Sequence, residues 1–156
     1  MEYNIRQITD EIAKQILCWK YETPYDFYNS ELTEENVREL VDDTYHVVFD
    51  NHDKLIGFYC TGAAAQVPTG KEFGAYDKDY VDIGLGLKPD LTGKGLGSSF
   101  LRFIIDHICE DRDYQKLRLT VATFNKRAIS LYTKVGFVRE ISFHTDTTEF
   151  ITMVLE

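Results

Sequence analysis

Apolar residues recur with two different periods along the chain, and the periods predict helices and strands in turn. Spacings of three and four predict amphipathic helices after Thr9, after Thr33, from Leu96 to Cys109 and after Asn125. Alternating or continuous runs rich in β-branched and aromatic residues predict strands at 3–7, 45–50, 54–62, 79–87, 116–123, 137–144 and 149–156. The resulting order, β α α β β β α β α β β, predicts an α/β domain with a mixed sheet.

Polar residues and glycines at the ends of these runs predict where several elements begin and end. Thr9, Thr33 and Asn125 precede helical patterns and can cap them, and Gly136 follows the last one. A hairpin turn is indicated at 51–53, and another at 145–148. Residues 63–77 show no period and carry Pro and Gly, so we predict a long loop there.

The composition narrows the class of protein. A chain of 156 residues predicts one domain, 1–156, and a formal net charge of −9 with scattered basic residues argues against nucleic-acid binding. The sequence has neither a signal-peptide pattern nor an apolar run long enough to span a bilayer, so we expect a cytoplasmic protein with no membrane partner. Three widely spaced cysteines lie in apolar patterns, and we expect no metal site.

The glycine run "TGKGLGS" at 92–98 stands between a predicted strand and a predicted helix. Bare backbone at a helix N-terminus favours an anion, because unpaired N–H groups and the helix dipole attract phosphate. Lys94 is followed by Gly95 rather than by Ser or Thr, so the run is not a Walker loop. Its spacing also departs from the dinucleotide fingerprint GxGxxG. A tight turn that serves packing alone is the alternative.

Two segments together resemble the signature motifs of the GCN5-related N-acetyltransferases. Thr92-Gly93-Lys94-Gly95-Leu96-Gly97 is similar to the family's Arg/Gln-x-x-Gly-x-Gly/Ala turn, with Thr92 as the one departure. "NKRAISLYTKVGF" is similar to the second motif at Asn125, Ala128, Leu131, Tyr132, Gly136 and Phe137. The resemblance implies a single-domain α/β fold with a mixed, mostly antiparallel sheet of six to seven strands and helices on both faces.

The resemblance also implies acetyl-CoA as a cosubstrate, held where the strand ending at Leu87 splays away from the strand ending near Thr123. The pantetheine arm would pair with the backbone of Leu85, Gly86 and Leu87, and the pyrophosphate would lie on the turn from Gly93 to Ser98. The implied cofactor-binding residues are Leu85, Gly86, Leu87, Thr92, Gly93, Lys94, Gly95, Leu96, Gly97, Ser98 and Asn125. A packing bulge is the alternative for the strand glycines, and helix capping alone for Asn125.

For catalysis, the resemblance makes Tyr132 the proton donor to the departing thiolate, although a core aromatic is the ordinary role of a tyrosine on an apolar face. Asp82 is the candidate base, acting directly or through a water, and a carboxylate that faces solvent is the alternative. Glu72 and Asp79 are further candidates. A strand N–H near Leu87 would stabilise the negative charge that develops on the acetyl oxygen.

The resemblance implies an acceptor site walled by the first two helices and the aromatic segment "WKYETPYDFYNS" between them. Trp19, Tyr21, Tyr25 and Tyr28 are the candidate substrate-binding residues; they could enclose an apolar amine, stack on a cationic one or cover the sheet edge as core. A second wall could come from His144, Asp146 and Glu149. The resemblance implies acetyl transfer from acetyl-CoA to a primary amine of a small molecule or peptide. It also makes a homodimer possible. A non-catalytic acyl-CoA-binding, sensor or interaction domain is the alternative, followed by an ATP-binding protein.

Overall fold

A computed structural model describes residues 2–110 and 116–156 of the chain. The strands are β1 Tyr3–Gln7, β2 Tyr45–Asp50, β3 Leu55–Thr61, β4 Val81–Leu87, β5 Leu117–Ala122, β6 Val138–His144 and β7 Glu149–Leu155. The helices are α1 Asp10–Leu17, α2 Glu34–Val41, α3 Gly97–Glu110 and α4 Lys126–Val135. This order is the predicted one, and the predicted α/β class is confirmed.

The seven strands follow the order β1-β2-β3-β4-β5-β7-β6. The recorded ladders are antiparallel, except that β4 and β5 pair in parallel, at Val81 with Leu117 and at Asp82 with Arg118. The predicted mixed, mostly antiparallel sheet of six to seven strands is therefore confirmed. Strand β4 lies between a meander of the first three strands and a second set formed by β5, β7 and β6.

The chain divides into two compact units, and the boundary falls inside β4. The first unit is Met1–Cys60 with Leu85–Gly97, and the second is Thr61–Gly84 with Ser98–Glu156. The prediction of one domain over 1–156 stays a prediction.

The core of the first unit joins α1 and α2 to the first strands. Thr9 caps α1, because its side chain accepts a hydrogen bond from the Ile12 N–H, and Thr33 caps α2 through the Asn36 N–H. On the predicted apolar faces, α1 buries Ala13, Ile16 and Leu17, whereas α2 buries Leu40 and leaves Val41 exposed. The buried members of this core are Ile8, Ala13, Ile16, Leu17, Leu40, Val47 and Phe49.

The core of the second unit lies where the 62–80 segment meets the last strands. Buried Ala75, Ala122, Phe143 and Phe150 form its centre, and the rings of Phe143 and Phe150 stack 5.6 Å apart. The segment predicted as a loop at 63–77 contains two short 3₁₀ helices, Gly62–Ala65 and Pro68–Phe73. Their three-residue turns follow no apolar period, so the sequence pattern did not show them.

Candidate active site

The glycine run forms a turn that leads directly into α3. Gly93 and Gly95 both have left-handed backbone, with φ of 73° and 79°. Alternate left-handed residues turn successive N–H groups toward one side and create an anion-binding concavity. Gly93, Lys94 and Gly95 are exposed, and a Cβ at Gly95 would meet nothing within 4 Å. The backbone of this turn is therefore open to a ligand at the N-terminus of a 14-residue helix.

Thr92, the one departure from the family's first motif, makes hydrogen bonds within the turn. Its hydroxyl donates a hydrogen bond to the Pro89 carbonyl at 2.7 Å, and its own N–H reaches the same oxygen at 3.2 Å. The short 3₁₀ helix Pro89–Leu91 is closed in this way. The side chain at position 92 thus shapes the turn through a local bond.

The end of β4 is packed closely against β3 in the first unit. The N–H of Lys88 donates to the Ile56 carbonyl at 2.8 Å. A Cβ on Gly86 would overlap the Phe58 ring, coming within 2.6 Å of its Cζ. The Phe58 ring is in turn backed by Trp19 and Tyr45, with ring centroids 6.0 and 6.3 Å away. Gly86 is therefore required by the close approach of an aromatic ring, whatever else its backbone binds.

The aromatic segment predicted to bind the acceptor lies in the same unit as this strand end. Trp19 packs against the apolar core of the first unit. Tyr25 and Tyr28 are the first and last residues of a 3₁₀ helix, and Tyr28 is exposed. The hydroxyl of Tyr21 donates a hydrogen bond to the Leu87 carbonyl at 2.7 Å. Burial raises the pKa of Tyr21 to about 12, so this hydroxyl stays protonated at neutral pH.

Asp82 is buried in the first half of β4, and both its oxygens are occupied. Arg118 of β5 donates from Nε to Oδ1 at 2.6 Å and from Nη2 to Oδ2 at 2.7 Å, and Gln66 Nε2 donates to Oδ2 at 2.8 Å. The carboxylate is 4% exposed and the arginine 1%. A base must accept a proton, and here three N–H donors already compete for the oxygens. The assignment of Asp82 as general base stays a prediction, and this geometry favours a structural role.

Arg118 is the residue that the sequence analysis missed. Its Nη1 donates to the Lys78 carbonyl at 3.0 Å, and its guanidinium lies 5.0 Å from the Tyr76 ring centroid and 5.4 Å from that of Tyr80. Hydrogen bonding to Asp82 raises the pKa of Arg118 above its ordinary value. The available signal was one arginine in a strand that is otherwise apolar or small, since a buried cation requires a partner.

The second motif places its two predicted functional residues on α4. Asn125 caps this helix, because its Oδ1 accepts from the Ala128 N–H at 3.1 Å, and Gly136 ends it with φ of 123°. Tyr132 is half-buried, and its ring lies 6.1 Å from that of buried Phe137. The capping role of Asn125 is confirmed, whereas its contact with a cofactor and the acid role of Tyr132 stay predictions.

The remaining candidates lie at the surface of the second unit. Glu72 and Asp79 are exposed, as are His144, Asp146 and Glu149 of the last hairpin. The His144 ring lies 5.5 Å from the ring of Phe73, at the end of the second short 3₁₀ helix. Ser98 lies in the first turn of α3 and is half-buried. A role for any of them in the reaction stays a prediction.

Two further findings concern the described part of the chain. Among residues 2–110 and 116–156, no group of three or more His, Cys, Asp or Glu side chains is arranged to hold a metal ion. Within the same residues, every helix is too short or too polar to cross a membrane.

Solved structures of acetyltransferases share this fold over nearly the whole chain. A chimera of the spermidine N-acetyltransferase SpeG from Vibrio cholerae and hSSAT matches with a TM-score of 0.72 and 20% identity, covering 99% of this chain and 95% of its own. The aminoglycoside acetyltransferase AAC(6')-Ib in complex with coenzyme A matches with the same TM-score and identity, covering 99% and 94%. At this identity the matches establish the fold.

Sequence comparison identifies a relative that matches part of this chain, and a protein family. The UPF0157 protein YqkA of Bacillus subtilis (strain 168) is 33% identical over 90 residues, which are 56% of this chain and 24% of that protein. This chain thus matches about a quarter of the length of that relative. The model of the acetyltransferase (GNAT) family matches residues 11–137, a span that holds both motifs. The chain belongs to the acetyltransferase (GNAT) family.

Proposed function

We propose that this protein transfers the acetyl group of acetyl-CoA directly to a primary amine of a small-molecule or peptide acceptor. The observation that carries the proposal is the turn from Thr92 to Gly97, with left-handed glycines at 93 and 95 and open space at Gly95. Such a turn fits a pyrophosphate, because its N–H groups are fixed before the ligand arrives. Membership of the family and the likeness to a fold that binds coenzyme A support the same donor.

The end of β4 and the glycine turn that follows it would bind the donor. The backbone of Leu85 and Leu87 would pair with the pantetheine amides, and the N–H groups from Gly93 to Gly97 would hold the pyrophosphate. A strand N–H near Leu87 would stabilise the negative charge that develops on the acetyl oxygen. Acetyl-CoA supplies the activated thioester.

By the resemblance of its motif, Tyr132 would donate a proton to the departing thiolate. A phenol is a suitable acid here, since it is protonated at neutral pH and can donate a hydrogen bond to the sulfur as negative charge develops on it. The acceptor amine must be neutral before attack. The occupied oxygens of Asp82 leave a bound water as the favoured carrier of the amine proton.

The acidic residues in and near the aromatic segment favour a cationic acceptor. Eight of the 26 acidic residues of the chain but only two of the 17 basic ones lie within residues 20–43. All eight are exposed, and Phe27, Tyr28 and Leu32 are exposed beside them in the sequence. Carboxylates and exposed rings together suit an amine that carries both charge and methylene groups. The similar solved structures include acetyltransferases named for spermidine and for aminoglycosides.

The test is thiol release from acetyl-CoA in the presence of a panel of amines: a polyamine, an aminoglycoside, a lysine-rich peptide and an uncharged amide as the blank. We expect release with at least one cationic amine. Tyr132→Phe should lower kcat about 100-fold while the Kd for coenzyme A, measured by calorimetry, stays within about twofold. Tyr80→Phe is the matched control, since its hydroxyl bonds to Glu156 in the same unit.

Different results point to different functions. Binding of coenzyme A without thiol release for any amine would favour an acyl-CoA sensor. Stabilisation by ATP with magnesium, and none by coenzyme A, would indicate a nucleotide-binding protein. Unchanged kcat in Tyr132→Phe would remove that residue from the acid role.

A further inference from the structure

The segment from Trp19 to Ser30, between α1 and α2, is closed on itself by hydrogen bonds. The Tyr21 N–H donates to Asn29 Oδ1 at 2.8 Å, and Lys20 Nζ reaches the Ser30 carbonyl at 3.5 Å. Within the segment, the Tyr25 N–H bonds to the Glu22 carbonyl at 2.7 Å. These bonds join the two ends of the segment, so that it can order or loosen as one piece.

A side-chain hydrogen bond links this closed segment to β4. Tyr21 lies at the closure, and its hydroxyl donates to the carbonyl of Leu87, the last residue of the strand, at 2.7 Å. The next residue, Lys88, is tied to β3 through its N–H. The Leu87 peptide region is therefore held from two sides, by a backbone bond and by a half-buried phenol.

We propose that Tyr21 is a positioning residue that couples the order of the 19–30 segment to the binding of coenzyme A along the end of β4. This inference rests on the proposed function, which places the pantetheine arm beside Leu85 to Leu87. The Leu87 carbonyl has two lone pairs, and Tyr21 occupies one of them. Whatever fixes this carbonyl also fixes the tyrosine, and with it the closure at Asn29.

The coupling gives Tyr21 a different role from that of a residue that touches the acceptor. Its hydroxyl is already bonded to the backbone, so it acts on the acceptor through the segment it holds. Donor binding then reduces the number of conformations of the segment, and an acceptor that needs the ordered segment binds more tightly afterwards. Acetyl-CoA and acceptor are expected to bind with positive cooperativity through this one hydrogen bond.

The experiment compares wild type with Tyr21→Phe, using coenzyme A as the probe and hydrogen exchange of backbone amides as the readout. In the wild type, coenzyme A should slow exchange both at 85–97 and at 19–30, by about threefold or more. In Tyr21→Phe the protection at 85–97 should remain and that at 19–30 should disappear. Tyr45→Phe is the control, because it removes a phenol hydroxyl of the same unit that points to Glu39 of α2.

Steady-state kinetics give a second readout with the best amine of the panel. Tyr21→Phe should raise the KM for the amine about tenfold and leave kcat within about threefold, since the lost bond orders a segment and takes no part in the chemistry. A variant damaged only in its fold would lose active protein, and kcat would fall at unchanged KM. Asn29→Ala removes the hydrogen bond from the Tyr21 N–H but keeps the Tyr21 hydroxyl. This variant should also raise KM for the amine with little change in kcat, and its increase in KM should be smaller.

Each outcome is decisive. Equal protection of 19–30 by coenzyme A in wild type and Tyr21→Phe would overturn the coupling and leave the proposed function intact. A wild type that binds no coenzyme A would overturn the proposed function and the coupling with it. If Tyr21→Phe does not fold, the same exchange comparison is made with Asn29→Ala, and full protection of 19–30 there would overturn the proposal.

Discussion

Strand β4 is held differently in its two halves. In the first half, buried Asp82 accepts three hydrogen bonds, two of them from the Arg118 guanidinium. In the second half, Gly86 lies against the Phe58 ring without a Cβ between them, and Leu87 accepts a bond from Tyr21. Charge and hydrogen bonding hold one half; close packing and one phenol hold the other.

The difference bears on the proposal that the pantetheine arm pairs with this strand. The polar groups of the Asp82 cluster satisfy each other, so little bonding capacity remains there for a substrate. In the second half the residues from Leu85 to Leu87 are half-buried, and the packing that holds them uses ring faces and bare backbone. Under the proposed function, the backbone of Leu85 to Leu87 is the part of the strand that pairs with the pantetheine arm.

The largest expected effect comes from breaking the ion pair. Asp82→Ala leaves the Arg118 guanidinium buried without its partner, which should lower the free energy of unfolding by about 3–5 kcal/mol. Urea unfolding followed by circular dichroism measures this change. The double variant Asp82→Leu/Arg118→Met removes both charges and should recover most of the loss, because a buried ion pair can be replaced by apolar side chains of similar volume.

The same double variant also tests the role of Asp82 in catalysis. If the carboxylate only holds the strand, a folded double variant should keep kcat within about tenfold of the wild type. A fall of about 100-fold or more in a stable double variant would support Asp82 as the base.

An intermediate effect is expected from Gly86→Ala. The added methyl group would overlap the Phe58 ring, and overpacking of this kind lowers the free energy of unfolding by about 1–3 kcal/mol. The double variant Gly86→Ala/Phe58→Leu replaces the ring with a smaller side chain and should restore part of the stability. The midpoints of urea unfolding measure both changes. Equal stability of Gly86→Ala and wild type would mean that packing does not hold this half of the strand.

The smallest change in stability is expected from Gly95→Ala. Gly95 and Gly62 both have φ of 79° with nothing within 4 Å of a Cβ, so alanine at either position should cost about 1 kcal/mol of backbone strain. Only Gly95→Ala should also weaken coenzyme A binding, by about tenfold in calorimetry, because its methyl group lies on the proposed pyrophosphate turn. Equal affinities in the two variants would contradict that placement.

The elements of the fold were predictable because their signals are local. The caps at Thr9, Thr33 and Asn125 and the left-handed Gly136 all depend on residues within four positions of one another. In a long helix such as α3, with 14 residues, the apolar spacing repeats over several turns. The two 3₁₀ helices within 62–73 were not predicted, since so short a helix leaves no repeat to detect.

The contacts that organise the candidate site were less predictable, because their partners are distant in the sequence. Asp82 and Arg118 are 36 positions apart, and Tyr21 and Leu87 are 66 apart. Asp82 was predicted to be the base, and only the neighbouring strand shows that its carboxylate bonds to Arg118. Tyr21 was predicted to bind the acceptor from its aromatic surroundings, whereas its hydroxyl bonds to the backbone of β4.

The hydroxyl of Thr92 has a consequence for how the protein responds to ionic strength. Because that side chain closes the turn on Pro89, the proposed pyrophosphate site depends mainly on neutral N–H dipoles, and Lys94 is the one cation between 92 and 98. Added salt screens mobile charges far more than fixed dipoles at close range. Donor affinity should therefore change little as salt rises, while a cationic acceptor drawn to the exposed carboxylates of 20–43 would bind less and less. Under the proposed function, dilute and concentrated buffers would then differ in how tightly the protein binds an amine, while its affinity for coenzyme A stays nearly constant.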